Sequence, residues 1–298
     1  MEPNTVAVIL NPAAGAGKTL RLLPKVTSAL KSLDRPYKLH VTTRAGEALD
    51  VAQDFAHDGA SVIIAVGGDG TINEVANGIV ASGQRTPMGV VAGGHGSDFA
   101  RAIGVPKDVV AAIRRATSGV TRPVDLGRVT FEDGKSRLFI NAAGLGFDAE
   151  VARRAYRSRL PGGKLPYLAA VAGALVYYRN VDIVVTCDNE RLSERAMFAL
   201  VANSRYLAGG LQLAPMAAVD DGLLDLTLVG DISKLDLIAQ VPKVFRGTHT
   251  GHPKYWHRRI QCARVETSVP AHVQLDGELV GTSPVTFSVE AGAISIAG

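Results

Sequence analysis

Residues Ser61–Val75 read SVIIAVGGDGTINEV, and the rest of the chain is interpreted around them. Val62–Val66 is a short apolar run rich in β-branched residues, the pattern of a buried strand. Gly67, Gly68, Asp69, Gly70 and Thr71 follow, and then Ile72, Val75, Ala76 and Ile79 fall at helical spacing. The segment is therefore a strand, a glycine turn and a helix. Glycines in such a turn let the backbone bend freely and bring N–H groups close to a ligand. The helix behind them offers unpaired N–H groups and a positive dipole end, both suited to phosphate. Asp69 would repel a bare phosphate, so its presence there implies a metal, a ribose or a hydroxyl nearby. A pair of glycines alone is equally the mark of an ordinary tight turn. An acid set between glycines at the end of a buried strand is not explained that way.

The 298 residues suffice for one large or two ordinary domains, and 47% hydrophobic content supports a sizeable core. No apolar run reaches the roughly 18 residues that a membrane span requires. The N-terminal residues, MEPNTVAVIL, enter a strand and lack the plan of a secretion signal. Cys187 and Cys262 form no metal pattern and suit a reducing compartment. The net charge of +4 is unevenly spread. Residues 151–164 carry five positive groups and no acid, and residues 237–265 carry six Lys or Arg, three His and no acid. Such runs are either solvated faces or attractors for anionic partners. No nucleic-acid-binding motif accompanies them.

Taken in order, Val6–Leu10 reads as a first strand and leads into NPAAGAGKT at 11–19. The end of this loop looks like a Walker motif, but that motif needs a glycine where Pro12 stands. Leu23–Leu33 is expected to be helical, with Pro24 in its first turn. Tyr37–Thr42 is a second strand, and Ala48, Leu49, Ala52, Phe55 and Ala56 share one helical face. A fourth apolar run, Met88–Ala92, ends in GGHGSD at 93–98. Four strands alternating with helices predict a doubly wound parallel sheet whose ligands bind at the strand C-terminal ends. Near Arg122–Asp125 the texture changes to short alternating segments with hairpin turns, one of them around Asp133-Gly134. The second half is therefore expected to be mainly antiparallel β, a sandwich or open barrel, with helices near Ala149–Arg157, Tyr167–Tyr178 and Lys234–Phe245. The expected division is 1–125 and 126–298, with the last strand returning to the first domain. GLGFDA at 144–149 mimics a dinucleotide fingerprint, but no acid follows at the required distance, so it reads as a structural turn.

Six segments then carry a family resemblance: NPAAGAGK, VGGDGTINEVANG, GGHGSDFARAIG, NAAGLGFDAEVA, APMAAVDDGLLDL and QLDGEL. Together, in this order and spanning about residues 5–280, they resemble the bacterial diacylglycerol kinase and sphingosine kinase superfamily. GGDGT alone is shared with NAD kinases and phosphofructokinases; the ordered set is far more specific. The resemblance implies an ATP-dependent lipid kinase of two domains, an α/β domain and a β-sandwich, with nucleotide bound in a cleft between them. It places nucleotide contacts on Asn11, Pro12, Ala13, Ala14, Gly15, Thr42, Gly67, Gly68, Asp69, Gly70, Thr71, Ile72, Asn73 and His95. It places the general base at Asp276 or Glu278, with Asp69 also catalytic. A structural Mg2+ site would use Asp221 with backbone oxygens of Ala218 and Leu223, and a second Mg2+ would accompany ATP. His95 and Ser97 depart from the family's usual GTGND loop and bear on nucleotide preference. The substrate implied is diacylglycerol or a related lipid alcohol, met at the membrane surface by a cytoplasmic, peripherally associated protein. That contact would use the basic run Arg153–Lys164 and the apolar segment Leu165–Tyr178; nucleic acid is not a partner, and a homodimer is compatible. Two other readings stay open on the residues: a soluble-substrate kinase of the NAD kinase type, and a nucleotide- or lipid-sensing module without turnover.

Overall fold

A computed structural model describes residues 1–298 apart from 3, 95, 158–163 and 189. The chain forms two compact units, residues 1–126 with 291–298, and residues 127–290.

In the first unit the elements are β1 (Val6–Leu10), α1 (Leu23–Lys31), β2 (Tyr37–Val41), α2 (Glu47–His57), β3 (Val62–Gly67), α3 (Asp69–Ala81), β4 (Met88–Ala92), α4 (Asp98–Ala102), α5 (Val109–Ala116) and the first part of β5 (Thr121–Phe131). The strands β2, β1, β3 and β4 lie side by side and parallel, with Ala7 opposite Ile63 and Ile63 opposite Met88. Every residue of β1 and β3 is buried. This is why the two strands read as continuous apolar runs: both faces of a parallel sheet are covered by helices. Val6, Val8 and Leu10 of β1, and Val62, Ile64 and Val66 of β3, pack against Val26 and Leu30 of α1 and Val109 and Ile113 of α5. Alternate residues turn to the face carrying α2 and α3. The last strand supplies Ile296, parallel to Met88. Pro24 sits at the start of α1, where its missing N–H removes no helical bond.

The second unit holds the remainder of β5, then β6 (Ser136–Phe139), β7 (Ala142–Gly146), α6 (Phe147–Arg157), α7 (Lys164–Tyr177), β8 (Val181–Cys187), β9 (Glu190–Ala202), β10 (Leu224–Gly230), α8 (Lys234–Arg246), β11 (Tyr255–Ile260), β12 (Cys262–Thr267), β13 (His272–Leu275), β14 (Glu278–Thr282) and most of β15 (Val285–Ala297). Pairing is antiparallel throughout: β13 with β14 and β7, β9 with β7, β8 and β10, and β12 with β8 and β15. The core runs through Phe139, Leu145, Val185, Leu226, Val265 and Phe287. The expected hairpin around Asp133-Gly134 joins β5 to β6, with Thr130 opposite Ser136 and Gly134 at φ +81°. One detail differs from the sequence reading. Gly144 lies inside β7 rather than in a turn after it, and α6 begins directly at Phe147. The reason is steric. A Cβ at Gly144 would lie 1.6 Å from Asp148 Oδ2, so only glycine lets the Asp148 side chain fold back over the strand.

Candidate functional site

In the first unit, three loops leave the C-terminal ends of β1, β3 and β4 and meet on glycine. A Cβ on Gly15, which is at φ +62°, would lie 2.5 Å from the Gly93 carbonyl oxygen. One on Gly94 would lie 2.7 Å from Gly68 Cα. One on Gly67 would lie 2.5 Å from Thr71 Oγ1, and one on Gly93 the same distance from Thr19 Oγ1. The contacts at Gly15 and Gly94 are to backbone and those at Gly67 and Gly93 to threonine side chains, so a side chain at any of the four would force its neighbour to shift. The loops are also tied by hydrogen bonds. Asn11 Nδ2 donates to Thr71 Oγ1 at 3.0 Å, and Asn11 Oδ1 accepts from Ala13 N at 3.0 Å. Thr19 Oγ1 lies 2.9 Å from Gly93 O and 3.1 Å from Ala14 O, its one hydroxyl proton shared between the two carbonyls. Gly93 N donates to Gly67 O at 2.7 Å. The product is a backbone-lined cradle at the N-terminus of α3, whose N-cap is Gly68.

Asn11–Gly15, Gly67–Asn73 and Thr42 therefore all stand at one edge of the parallel sheet; Thr42 N extends the β1–β2 pairing through Leu10 O at 2.9 Å. His95 lies outside the described residues. Asp69 finds its partners in the protein itself. Its Oδ2 accepts from Asp98 N at 3.1 Å and its Oδ1 from Phe99 N at 3.0 Å, so it satisfies two amides at the start of α4. Thr19 was not singled out in the sequence; its spacing from the glycine loops carries no signal, because its partner is 74 residues away. Asp98 pairs with Arg101 at 3.1 Å, and Asp125 accepts from Gly292 N at 2.7 Å.

In the second unit, Asp276 and Gly277 form the β13–β14 turn at φ +47° and +91°. The Asp276 carboxylate is held by three successive amides. Oδ2 accepts from Ile140 N at 2.8 Å, while Oδ1 accepts from Asn141 N at 2.9 Å and Ala142 N at 3.1 Å. A carboxylate gripped by three donors is held in one direction. Beside it, the buried Asn203 donates through Nδ2 to Ile140 O at 2.9 Å. Asn141 is buried with its Oδ1 unpartnered within the protein. Glu278, by contrast, is on the surface, its side chain 62% exposed and paired with Arg137 at 3.2 Å. Asp276 and Glu278 are two residues apart in sequence but occupy different environments.

Asp148 is a residue the sequence reading passed over. Its Oδ2 accepts from Gln274 Nε2 at 3.0 Å, and Gln274 Oε1 accepts from Gly277 N at 2.8 Å. Its Oδ1 is buried without a partner. Burial raises the carboxyl to about 6, opposed by the Gln274 hydrogen bond. This group thus buttresses the Asp276-Gly277 turn through one glutamine.

Of the expected Mg2+ donors, the Asp221 carboxylate is already engaged within the protein. Asp221 Oδ1 accepts from Leu223 N at 3.0 Å, and its Oδ2 pairs with Arg259. A cation at this carboxylate would meet a guanidinium. Among the described residues no group of three or more His, Cys, Asp or Glu side chains could hold a metal. Some cations of the basic runs are paired with acids in space. Glu150, one residue before the first run, pairs with Arg153 and Arg154, both at 2.6 Å. In the second run Arg258 pairs with Glu190, Arg264 with Glu132 and Glu266, and His257 with the buried Asp225 at 2.5 Å. Much of Arg153–Lys164 lies outside the described residues.

Residues 5–129 match the diacylglycerol kinase catalytic domain family, and residues 141–298 match the family described as the YegS C-terminal NAD kinase beta sandwich-like domain. The chain is 30% identical to a diacylglycerol kinase of Bacillus subtilis (strain 168), covering 94% of this chain and 91% of that one. It is 31% identical to a diacylglycerol kinase of Staphylococcus saprophyticus, covering 94% and 90%. A solved structure described as a diacylglycerol kinase from Bacillus anthracis str. Sterne superposes with a TM-score of 0.77 at 23% identity, over 100% of this chain and 97% of that chain, a likeness of fold. The chain belongs to the diacylglycerol kinase family, with an α/β unit and a β-sandwich unit, and is thereby a phosphotransferase.

Proposed function

We propose that this member of the diacylglycerol kinase family transfers the γ-phosphate of ATP to the hydroxyl of diacylglycerol or a related lipid alcohol. The observation that carries this reading is the glycine cradle at the head of α3. It offers backbone N–H groups and a helix N-terminus where side chains have no room. Phosphoryl transfer depends on positioning and charge stabilisation far more than on covalent help. In this reading Gly67–Asn73 and the Asn11–Gly15 loop hold the phosphates, and Thr42 lies on the same sheet edge. Asp69 contributes by fixing the start of α4, and so the Gly93–Asp98 loop, against the cradle.

The acceptor hydroxyl attacks the γ-phosphorus. A new P–O bond forms, the bond to the β-phosphate oxygen breaks, ADP leaves, and the hydroxyl proton passes to a carboxylate. Asp276 is the better placed of the two candidates, because three amides fix its direction while Glu278 is exposed and engaged by Arg137. General-base help of this kind typically contributes about 10²–10⁴-fold. Magnesium enters this reading as the counterion of ATP, not as a resident ion at Asp221. No described helix is long and apolar enough to cross a membrane, and in this reading a cytoplasmic protein meets its substrate peripherally at the bilayer.

The test is transfer of radiolabelled phosphate from a panel of nucleotides to lipids in vesicles. Label in the lipid from ATP is expected. Bound nucleotide with no labelled lipid would turn the reading to a sensing module, and label in a soluble dinucleotide or alcohol to a soluble-substrate kinase.

A further inference from the structure

We infer that α8 is the surface by which this protein docks on an anionic lipid bilayer. Its solvent-facing side carries a row of large apolar side chains. Leu235, Ile238, Val241 and Phe245 are 81%, 53%, 43% and 52% exposed, and no residue of the helix is buried. At 100° per residue these four fall within one third of the helix circumference. The half-buried side is mixed, with Asp236 and Gln240 beside Val244 and Leu237, the last packed on the core around Ala214 and Ile232. An ordinary surface helix has the reverse arrangement.

The stripe is rigidly displayed. Ser233 caps the helix by accepting from Asp236 N at 3.1 Å, and Gly247 ends it at φ +68°. His252 meets Asp236 at 3.1 Å, and Gln212 Nε2 donates to Phe245 O at 2.9 Å. Lys234 Nζ donates to Val176 O at 2.8 Å, which brings the end of α7 beside the first turn of α8. Val176 and Tyr177 there are themselves 64% and 72% exposed, so the apolar surface continues across both helices.

Charge selects the occupant. Lys234, Lys243, Arg246 and, after α7, Arg179 are exposed around this surface. Asp236 is turned to His252, and Asp231 is held by Asn180 at 2.6 Å. An apolar stripe with a cationic border is the composition of a helix that lies in the interface of an anionic membrane. A symmetric pairing of two copies through α8 would instead bring the same lysines and arginines face to face. The surface differs from the Arg153–Lys164 run, whose first two arginines are consumed by Glu150.

The purpose of this docking rests on the lipid-kinase reading, but the docking itself does not. The experiment is sedimentation of the full chain with phosphatidylcholine vesicles, with and without phosphatidylglycerol, alongside phosphate transfer to diacylglycerol. Substrate is offered either in those vesicles or as a short-chain form dissolved as monomers. The variants are Leu235→Gln with Phe245→Gln, Lys243→Glu with Arg246→Glu, and the control Val269→Gln, another exposed apolar residue. Wild type and control are expected to bind the anionic vesicles. The apolar variant should bind at least about tenfold more weakly, and the charge variant roughly tenfold or more weakly, with the salt dependence reduced. Both variants should keep full transfer to monomeric substrate and lose it with vesicles. Vesicle binding by the apolar variant equal to wild type would overturn the inference. So would light scattering that finds a wild-type dimer which this variant makes monomeric. If wild type binds through α8 yet phosphorylates no lipid in either form, the docking stands and the lipid-kinase reading falls.

Discussion

The glycine cradle and the Asp276 turn solve the same problem, holding polar groups in a fixed direction, by opposite means. The cradle is built from backbone by leaving side chains out, and each of its loops directly follows a strand. The Asp276 turn is built from one side chain gripped by amides 134 to 136 residues away, with Asn203 and Gln274 supporting it. The first kind of site is sensitive to volume and the second to charge and hydrogen-bond direction. That difference can be tested.

The largest effect is expected at the turn. Asp276→Asn turns one acceptor oxygen into an N–H donor facing amide donors, and removes the proposed proton acceptor. Its kcat should fall by about 10²–10⁴-fold with a lowered Tm, while Glu278→Gln should stay within about tenfold of wild type. Steady-state kinetics on both variants decides this, and full activity in both would remove the base from this turn altogether. In the cradle, Gly94→Ala places a methyl group against Gly68 Cα, which cannot move aside as a side chain could. The KM for ATP should rise about tenfold or more, since distortion of order 1–3 kcal/mol is expected from overpacking. An unchanged nucleotide affinity would show that the cradle is only a packing solution. The smallest effect concerns Asp148. Its carboxyl is raised to about 6 in the folded protein by burial, so between the ordinary Asp value and that point the folded state holds a proton the unfolded state has released. Stability should therefore fall as pH rises through this interval and level off above it, by on the order of 1–3 kcal/mol. Asp148→Asn should flatten the profile in chemical denaturation, and a wild-type curve already flat there would refute the assignment.

The ease with which each region was recognised follows the same division. The strand-turn-helix of 62–81 was legible because β-branched runs, glycines and helical periodicity act within a dozen residues. The α/β and β halves followed from that period change alone. The acid in the glycine turn was legible as a peculiarity, but its partner was not. A carboxylate can look for a ligand or for a helix start, and Asp69 reaches α4 through amides that any residue would supply. The pairing of the basic runs was hidden for a related reason. A charge run in sequence says nothing of acids brought in by the fold: Asp225 meets His257 across the β10–β11 pair, and Glu190 and Asp221 reach Arg258 and Arg259 from other segments. Val176 and Tyr177 fall in the apolar segment 165–178 that the sequence offered as a membrane contact, whereas the apolar side of α8 was invisible in periodicity, because period reveals a face without saying whether that face turns inward.

The amino-acid sequence by itself determined the order of elements, the two-part architecture, and the glycine turns at the sheet edge, since all of these rest on backbone preferences that act locally. Tertiary structure alone decided which carboxylates are tied to amides, which cations are neutralised, and which apolar residues remain in water. Those outcomes depend on segments far apart in the chain meeting at hydrogen-bond distance, and no local preference encodes such a meeting.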